Sequence, residues 1–344
     1  MRFSAEKEKE MIKIWGDVIP GNTGESKRNR MNWDDSLSDR DMFVKYPGIW
    51  DKSTDEIGDM RGNDTMVYRQ EIKDGYAKET YDDVPFLIPY LVPGSRKCVI
   101  SCPGGAYLTK SIDNEGEQIA EFLNAAGISC FVLWYRSYPY RAPYMFLDLQ
   151  RAIRYVRSHA DEYEIDTDKI ATVGFSAGGN LAGVQALITR DNPVEVQGYT
   201  PDEVDKTDGR PNAVGLIYPA CSVANDKIQV VMADKETYNN KAAREKFAVD
   251  YEMATHVQEG DAPMFLLNAA DDDVIDAYIM VDLAKSLREK KVPCELHVFP
   301  YGGHGFGGCL PQNIPDIPGL TPPDLTAVKQ WKDLFINWIE GTFK

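Results

Sequence analysis

The sequence predicts an α/β fold: a mostly parallel central sheet flanked by helices on both faces. Three observations carry that prediction. Short apolar runs alternate with helical stretches from about residue 97 onward. The runs are apolar throughout, as strands covered on both faces require. The helical stretches carry apolar residues on one face only, at helical spacing. At 344 residues the chain can bury a large core as one large domain or two smaller ones, and 43% apolar with 27% charged residues is ordinary globular composition.

In chain order, residues 1–65 read as an N-terminal extension. They mix charges with Gly and Asn punctuation and carry Trp15, Trp33, Phe43, Tyr46 and Trp50 without a period. That is too aromatic for free disorder, so the extension is expected to drape over the body as part of a lid. Runs at 66–72 and 84–92 suggest an antiparallel start. A buried strand at 97–102 follows, then a helix over 115–126 whose Ile119, Phe122 and Leu123 share a face before Gly127 stops it. Residues 128–134 are the next strand. A helix over 144–162 places Leu149, Ala152, Ile153 and Val156 at i, i+3, i+4 and i+7. The strand at 170–173 leads into a glycine-rich turn and a helix over 180–190. Further strands are expected at 214–218, 264–268 and 295–299, with helices at 278–291 and 325–340. Two insertions break the rhythm. Residues 191–211 are polar and turn-rich, and 220–261 contain a charged helical stretch that would roof the strand ends like a lid.

The formal net charge of −16 argues against nucleic acid and anionic membrane surfaces as partners, since both would repel it. Six cysteines are scattered without a C-x-x-C or zinc spacing, which suggests buried free thiols in a reducing compartment. The charged N-terminus lacks the apolar core of a signal peptide, and no stretch approaches the length of a membrane span. These features point to a cytoplasmic chain; they neither require nor exclude a homo-oligomer.

The chemistry concentrates in one motif. Gly174-Phe175-Ser176-Ala177-Gly178 follows a strand and opens a helix. A serine on such a turn is pushed out of the sheet with its hydroxyl exposed, and the new helix aims N–H groups at the space above it. Ser176 is therefore the candidate nucleophile. Of four histidines, His159 lies on a polar helix end, His256 in the second insertion and His297 within a strand. His304 stands instead in Tyr301-Gly302-Gly303-His304-Gly305-Phe306-Gly307, just beyond a strand, and is the candidate base. The carboxylate that orients it is sought in Asp271-Asp272-Asp273 after the strand at 264–268; position favours Asp272, with Asp271 and Asp273 as alternatives. A metal site is the competing interpretation of an acidic run, but no second ligand cluster lies near it in sequence. Asp276 suits a helix N-cap. Cys102-Pro103-Gly104-Gly105-Ala106-Tyr107 allows close backbone approach, so Gly105 and Ala106 join Ala177 as candidate oxyanion donors. No cofactor is implied: there is no P-loop, and Gly303-His304-Gly305 lacks the strand-to-helix context of a nucleotide site.

Together with Val132-Leu133-Trp134-Tyr135-Arg136 and Asp168-Lys169-Ile170, these motifs resemble the α/β-hydrolase superfamily, in its carboxylesterase/acetylesterase branch near the hormone-sensitive-lipase-like and acetyl-xylan or feruloyl esterase groups. The resemblance covers about residues 84–343 and makes 66–344 the catalytic domain. It implies the triad order Ser176, Asp272, His304. Lipase-like members usually carry His-Gly-Gly-Gly in the oxyanion loop; here Pro103 and Ala106 replace the first and last residues, as in small-ester and carbohydrate-esterase variants. The implied function is hydrolysis of short acyl esters, acetyl esters of carbohydrates above all, with an oligosaccharide or small-molecule ester as partner. Tyr107 and Tyr135, with Tyr138 and Tyr140, would wall the pocket or stack on a sugar. The alternatives are an amidase, peptidase or arylformamidase using the same triad, and a non-enzymatic binding protein on this fold.

Overall fold

The computed structural model describes residues 6–22, 84–107, 110–137, 140–224, 226–309 and 324–344. The strand expected at 66–72, most of the N-terminal extension and Tyr138 lie outside them. Among the described residues eight strands build one sheet: β1 (Ile12–Lys13), β2 (Phe86–Tyr90), β3 (Cys98–Cys102), β4 (Ser129–Trp134), β5 (Ile170–Phe175), β6 (Ala213–Ile217), β7 (Met264–Ala269) and β8 (Cys294–Phe299). Their order is β1-β2-β4-β3-β5-β6-β7-β8. β2 runs antiparallel to β1 and β4, and the strands from β4 to β8 along the sheet are parallel.

Burial explains the sequence pattern. Every residue of β3 to β7 is buried, matching their unbroken apolar runs. β8 closes one edge and alternates exposed and half-buried residues, so its Glu295 and His297 need no deep partner. Helices α1 (Gln118–Ala125), α2 (Tyr144–Ser158), α3 (Ala177–Val184), α4 (Asp226–Met232), α5 (Lys235–Asn239), α6 (Lys241–Asp250), α7 (Met253–His256), α8 (Ala277–Glu289) and α9 (Trp331–Thr342) follow in order. Leu149, Ile153, Leu181, Leu283 and Leu287 of α2, α3 and α8 pack with Ile100, Leu133 and Leu266 on one face. Ile119, Leu123, Trp331, Phe335 and Ile339 of α1 and α9 pack with Val99, Val132, Val173 and Phe265 on the other. Alternate strand residues thus feed two separate cores, as the pleat dictates.

Several helices begin or end differently from the sequence expectation: α2 ends at Ser158, and α9 starts at Trp331. The stretch before α1 is a wider helical turn, Asp113–Glu117, which buries Asn114 and Glu115. α3 passes into a similar turn, Gln185–Thr189. The insertion at 220–261 folds as α4 to α7. Asp234 and Asn240 cap α5 and α6 by accepting from Thr237 and Ala243 N–H groups. α6 buries none of its residues, whereas Met253 of α7 is buried and packs over Gly183 of α3.

Part of the N-terminal extension is integral to the sheet. Ile12 and Lys13 pair with Leu87 and Phe86, and Ile14 and Trp15 are buried. The Trp15 indole N–H donates to Asp148 (3.0 Å), which also takes a fully buried ion pair from Arg136 at 2.7 Å. Arg136 donates to the Pro20 carbonyl, and Arg151 to that of Ile14. All six cysteines are free thiols; five are buried and Cys294 is exposed, contrary to uniform burial. Among the described residues, no helix is long and apolar enough to cross a membrane.

Candidate active site

Parallel register brings the chemistry to one end of the sheet. Cys102 at the end of β3 lies beside Gly174 of β5, and Phe175 beside Ile217 of β6. The loops after β3, β5, β6, β7 and β8 therefore leave along a common edge, where sites in such sheets form.

The turn after β5 is held by contact between backbones. A Cβ on Gly174 would lie 2.1 Å from the Gly178 carbonyl oxygen, and one on Gly178 would lie 2.0 Å from that of Cys102. Only hydrogen fits at either place. Between them Ser176 adopts φ 51°, ψ −115°, a left-handed conformation that strains a residue with a Cβ. Its N–H donates to Ile217 (3.1 Å), and its carbonyl accepts from Ala220 (3.2 Å), so the strained turn is pinned on both sides. Ala106, Tyr107 and Tyr218, all bordering this region, also have positive φ.

Ser176 Oγ lies 2.9 Å from His304 Nε2, and His304 Nδ1 lies 2.8 Å from Asp272 Oδ2. A carboxylate can only accept, so Nδ1 of the neutral ring carries the proton and Nε2 faces the serine hydroxyl as acceptor. Asp272 reaches His304 with a side chain closed to solvent, and its Oδ1 accepts from the Val274 and Ile275 N–H groups, each at 2.9 Å. Asp271 instead accepts from Gly303 N–H (2.8 Å), bracing the histidine loop from below. Asp276 caps α8 through Tyr278 N–H. The other histidines stay away: His159 stacks on Tyr155, His256 lies near the Val249 carbonyl and His297 pairs with Glu295.

The loop after β3 borders the same space: a Cβ on Gly104 would lie 2.9 Å from Ser176 Cβ. Gly105, Ala106 and Tyr107 have φ of 132°, 55° and 58°, three successive residues at positive φ. The N–H groups of Gly105 and Ala106 have no acceptor among the described residues. Ala177 is the first residue of α3, so its N–H lacks an intrahelical acceptor. Tyr107 and Tyr135 hold this loop rather than opening onto it. Both rings are buried, with Tyr107 donating to Asn180 Oδ1 (2.7 Å) and Tyr135 to the Pro103 carbonyl (2.6 Å). They form its wall and expose no ring for stacking on a sugar.

Sequence reasoning missed the groups behind the site. Glu115 is buried at 4% exposure, and one carboxylate oxygen accepts from Gly104 N–H (2.7 Å), the other from Tyr218 OH (2.7 Å). The Tyr218 hydroxyl accepts in turn from Gly307 N–H (2.9 Å), and its ring centroid is 4.9 Å from that of His304. Asn114 donates to the Gly305 carbonyl and accepts from Gly308 N–H. Burial pushes the Glu115 carboxyl up to about 7, while the Tyr218 and Gly104 hydrogen bonds and the charge of His304 pull it down. No local signal could have found these partners, because Tyr218 and Glu115 are 103 positions apart.

A cleft of about 330 Å³ opens beside Asp272, lined by Ala220, Cys221, Ile228, Val274 and Ile279 among others. The start of the second insertion thus borders the site. No cluster of three or more metal-ligating side chains occurs among the described residues.

The profile of the BD-FAE family matches residues 87–287. The chain is 31% identical over 240 residues to endo-1,4-beta-xylanase B of Butyrivibrio fibrisolvens, a match covering 66% of this chain and 35% of that one. It is 28% identical over 218 residues to an acetylxylan esterase of Xylanibacter ruminicola, covering 62% and 42%. The chain thus spans less than half the length of these curated relatives. The crystal structure of an acetyl ester-xyloside bifunctional hydrolase from Caldicellulosiruptor lactoaceticus superposes with a TM-score of 0.62 at 31% identity, covering 75% of this chain and 88% of that one. With its mostly parallel sheet and the strained turn between β5 and α3, this chain belongs to the BD-FAE family, in the carboxylesterase branch of the α/β-hydrolases.

Proposed function

We propose that this chain is a serine ester hydrolase acting through Ser176, His304 and Asp272 on short acyl esters, acetyl esters of carbohydrates in particular. The observation that carries it is the unbroken relay of 2.9 Å and 2.8 Å contacts from Ser176 through His304 to Asp272. In this reading His304 Nε2 takes the Ser176 proton as Oγ adds to the ester carbonyl. The developing oxyanion is met by the N–H groups of Gly105, Ala106 and Ala177. His304 then returns the proton to the departing alcohol oxygen, leaving an acyl group on Ser176. Water repeats the sequence: His304 removes its proton, the acid leaves and Ser176 Oγ is reprotonated. Asp272 keeps Nδ1 protonated and stabilises the imidazolium throughout.

The carbohydrate assignment is supported by the names of two relatives, the acetylxylan esterase and the acetyl ester-xyloside hydrolase. The replacement of the usual first and last oxyanion-loop residues by Pro103 and Ala106 agrees with small esters. Two measurements test the proposal. Ser176→Ala should lower kcat on p-nitrophenyl acetate by roughly 10⁵-fold or more; a rate equal to the parent's would refute the nucleophile. Acetate should turn over faster than octanoate, and acetylated xylo-oligosaccharides should release acetate. Faster octanoate turnover would contradict the short-acyl assignment, and preference for an anilide over an ester would turn the reading toward an amidase.

A further inference from the structure

A buried carboxylate needs a reason. Taking Glu115 out of water is costly, and an apolar residue of similar volume would be cheaper if packing were its only task. Its surroundings use both carboxyl oxygens: Gly104 N–H and Tyr218 OH each donate to a different oxygen at 2.7 Å, and a glutamine, with a single acceptor oxygen, could take only one of them. Those two donors lead to opposite walls of the site. Gly104 precedes the oxyanion amides of Gly105 and Ala106. Tyr218 touches the His304 ring and, by accepting from Gly307 N–H, holds the far end of the histidine loop. Asn114 reinforces the same span through Gly305 and Gly308.

We propose that Glu115 is a positioning residue of the reaction, tying the oxyanion loop and the histidine loop into one unit and placing a negative charge beside the imidazolium that forms on His304. This rests on the serine-hydrolase reading above. Charged and polar groups face Glu115 from each packed element: Asp113 from its own turn, Gly104 from the loop after β3, Tyr218 from the end of β6 and His304 from the loop after β8. Asp272 holds the opposite edge of the imidazole. Two carboxylates therefore flank the histidine, one in direct contact and one acting across the Tyr218 ring.

The test compares the full chain with Glu115→Gln, Tyr218→Phe and Ser176→Ala on p-nitrophenyl acetate from pH 5 to 9, with thermal melting as the fold control. Glu115→Gln should lower kcat about 10- to 100-fold with KM within about threefold of the parent, since the loss falls on the transition state. The acid limb of its kcat/KM profile should move to lower pH by up to about half a unit, because the carboxyl that ionises near pH 7 and there favours the protonated imidazole is gone. A purely structural role would not move that limb. Tyr218→Phe keeps the ring and loses both hydrogen bonds, so kcat should fall about tenfold at unchanged KM. Should Glu115→Gln fail to fold, this second variant decides. A folded Glu115→Gln with parental kcat, or with an unmoved acid limb, overturns the proposal, as does a Tyr218→Phe with parental kcat. These results bear on Glu115 alone when Ser176→Ala is inactive; retained activity in Ser176→Ala would instead sink the underlying nucleophile assignment.

Discussion

The serine turn and the histidine loop reach the same few ångströms of space by different means. Around Ser176 the backbone is packed so tightly that methyl groups on Gly174 or Gly178 would collide with carbonyls at about 2 Å. Around His304 the glycines face side chains or open space and no backbone carbonyl: a Cβ on Gly302 would meet Val328 at 2.5 Å, and one on Gly305 would meet nothing within 4 Å. That loop is held instead by tethers from afar, namely Asp271 on Gly303, Asp272 on His304, Asn114 on Gly305 and Gly308, Tyr218 on Gly307, and Trp331 on the Gly307 carbonyl. Ser176 is fixed chiefly by steric exclusion, His304 by hydrogen bonds. Exclusion is rigid and local, whereas tethers can be cut singly and leave a loop that still folds.

The largest expected effect comes from cutting the tether that also sets the tautomer. Asp272→Asn should lower kcat by about 10⁴-fold while the protein stays folded. Asp271→Asn, which loses only the brace on Gly303, should cost less than about tenfold. Comparable losses at both positions in steady-state kinetics would erase the distinction between the two aspartates. Next comes exclusion itself: Gly178→Ala should destabilise the fold by about 3 kcal/mol or more in urea denaturation, because the new methyl meets backbone that cannot turn aside.

A third effect is pH-dependent. Burial pushes the folded Glu115 carboxyl up to about 7, above the ordinary glutamate range. A raised carboxyl stabilises the fold fully below the unfolded value, and this contribution disappears as pH rises through about 7. The parent should therefore lose up to about 3 kcal/mol relative to Glu115→Gln between pH 4.5 and 7. Parallel stability curves for the two proteins across that window would contradict it. The smallest effect should be Gly305→Ala, where φ of 77° strains the backbone but no atom obstructs the methyl. It should cost about 1–2 kcal/mol and leave kcat within a few-fold. A larger loss than for Gly178→Ala would reverse the contrast between the two loops.

What the sequence revealed tracks the same contrast. The serine turn could be read because its requirements are local: a strand, two close-packed glycines and a helix within ten residues. His304 followed from elimination among four histidines and from its place after a strand. Asp272 emerged from three adjacent carboxylates only by position; what separates it from Asp271 is a bond to a residue 32 positions away. Glu115 resembled one more acidic residue at a helix start, since its partners at 104 and 218 leave no trace in its neighbourhood. Tyr107 and Tyr135 were visible as aromatics near the loop, but their burial and their use as loop supports depend on packing from α3 and β4. The two-residue strand at Ile12 is too short for any periodicity, and its pairing with β2 is set by partners more than seventy residues on.

That first strand has a practical meaning for anyone shortening the protein. A version starting after residue 22 would strip β2 of its neighbour and take Trp15 from Asp148 and the Pro20 carbonyl from Arg136. The bared hydrogen-bonding row on β2 would then be free to recruit a stranger's backbone. Such a trimmed protein would clump on the bench even with Ser176, His304 and Asp272 intact.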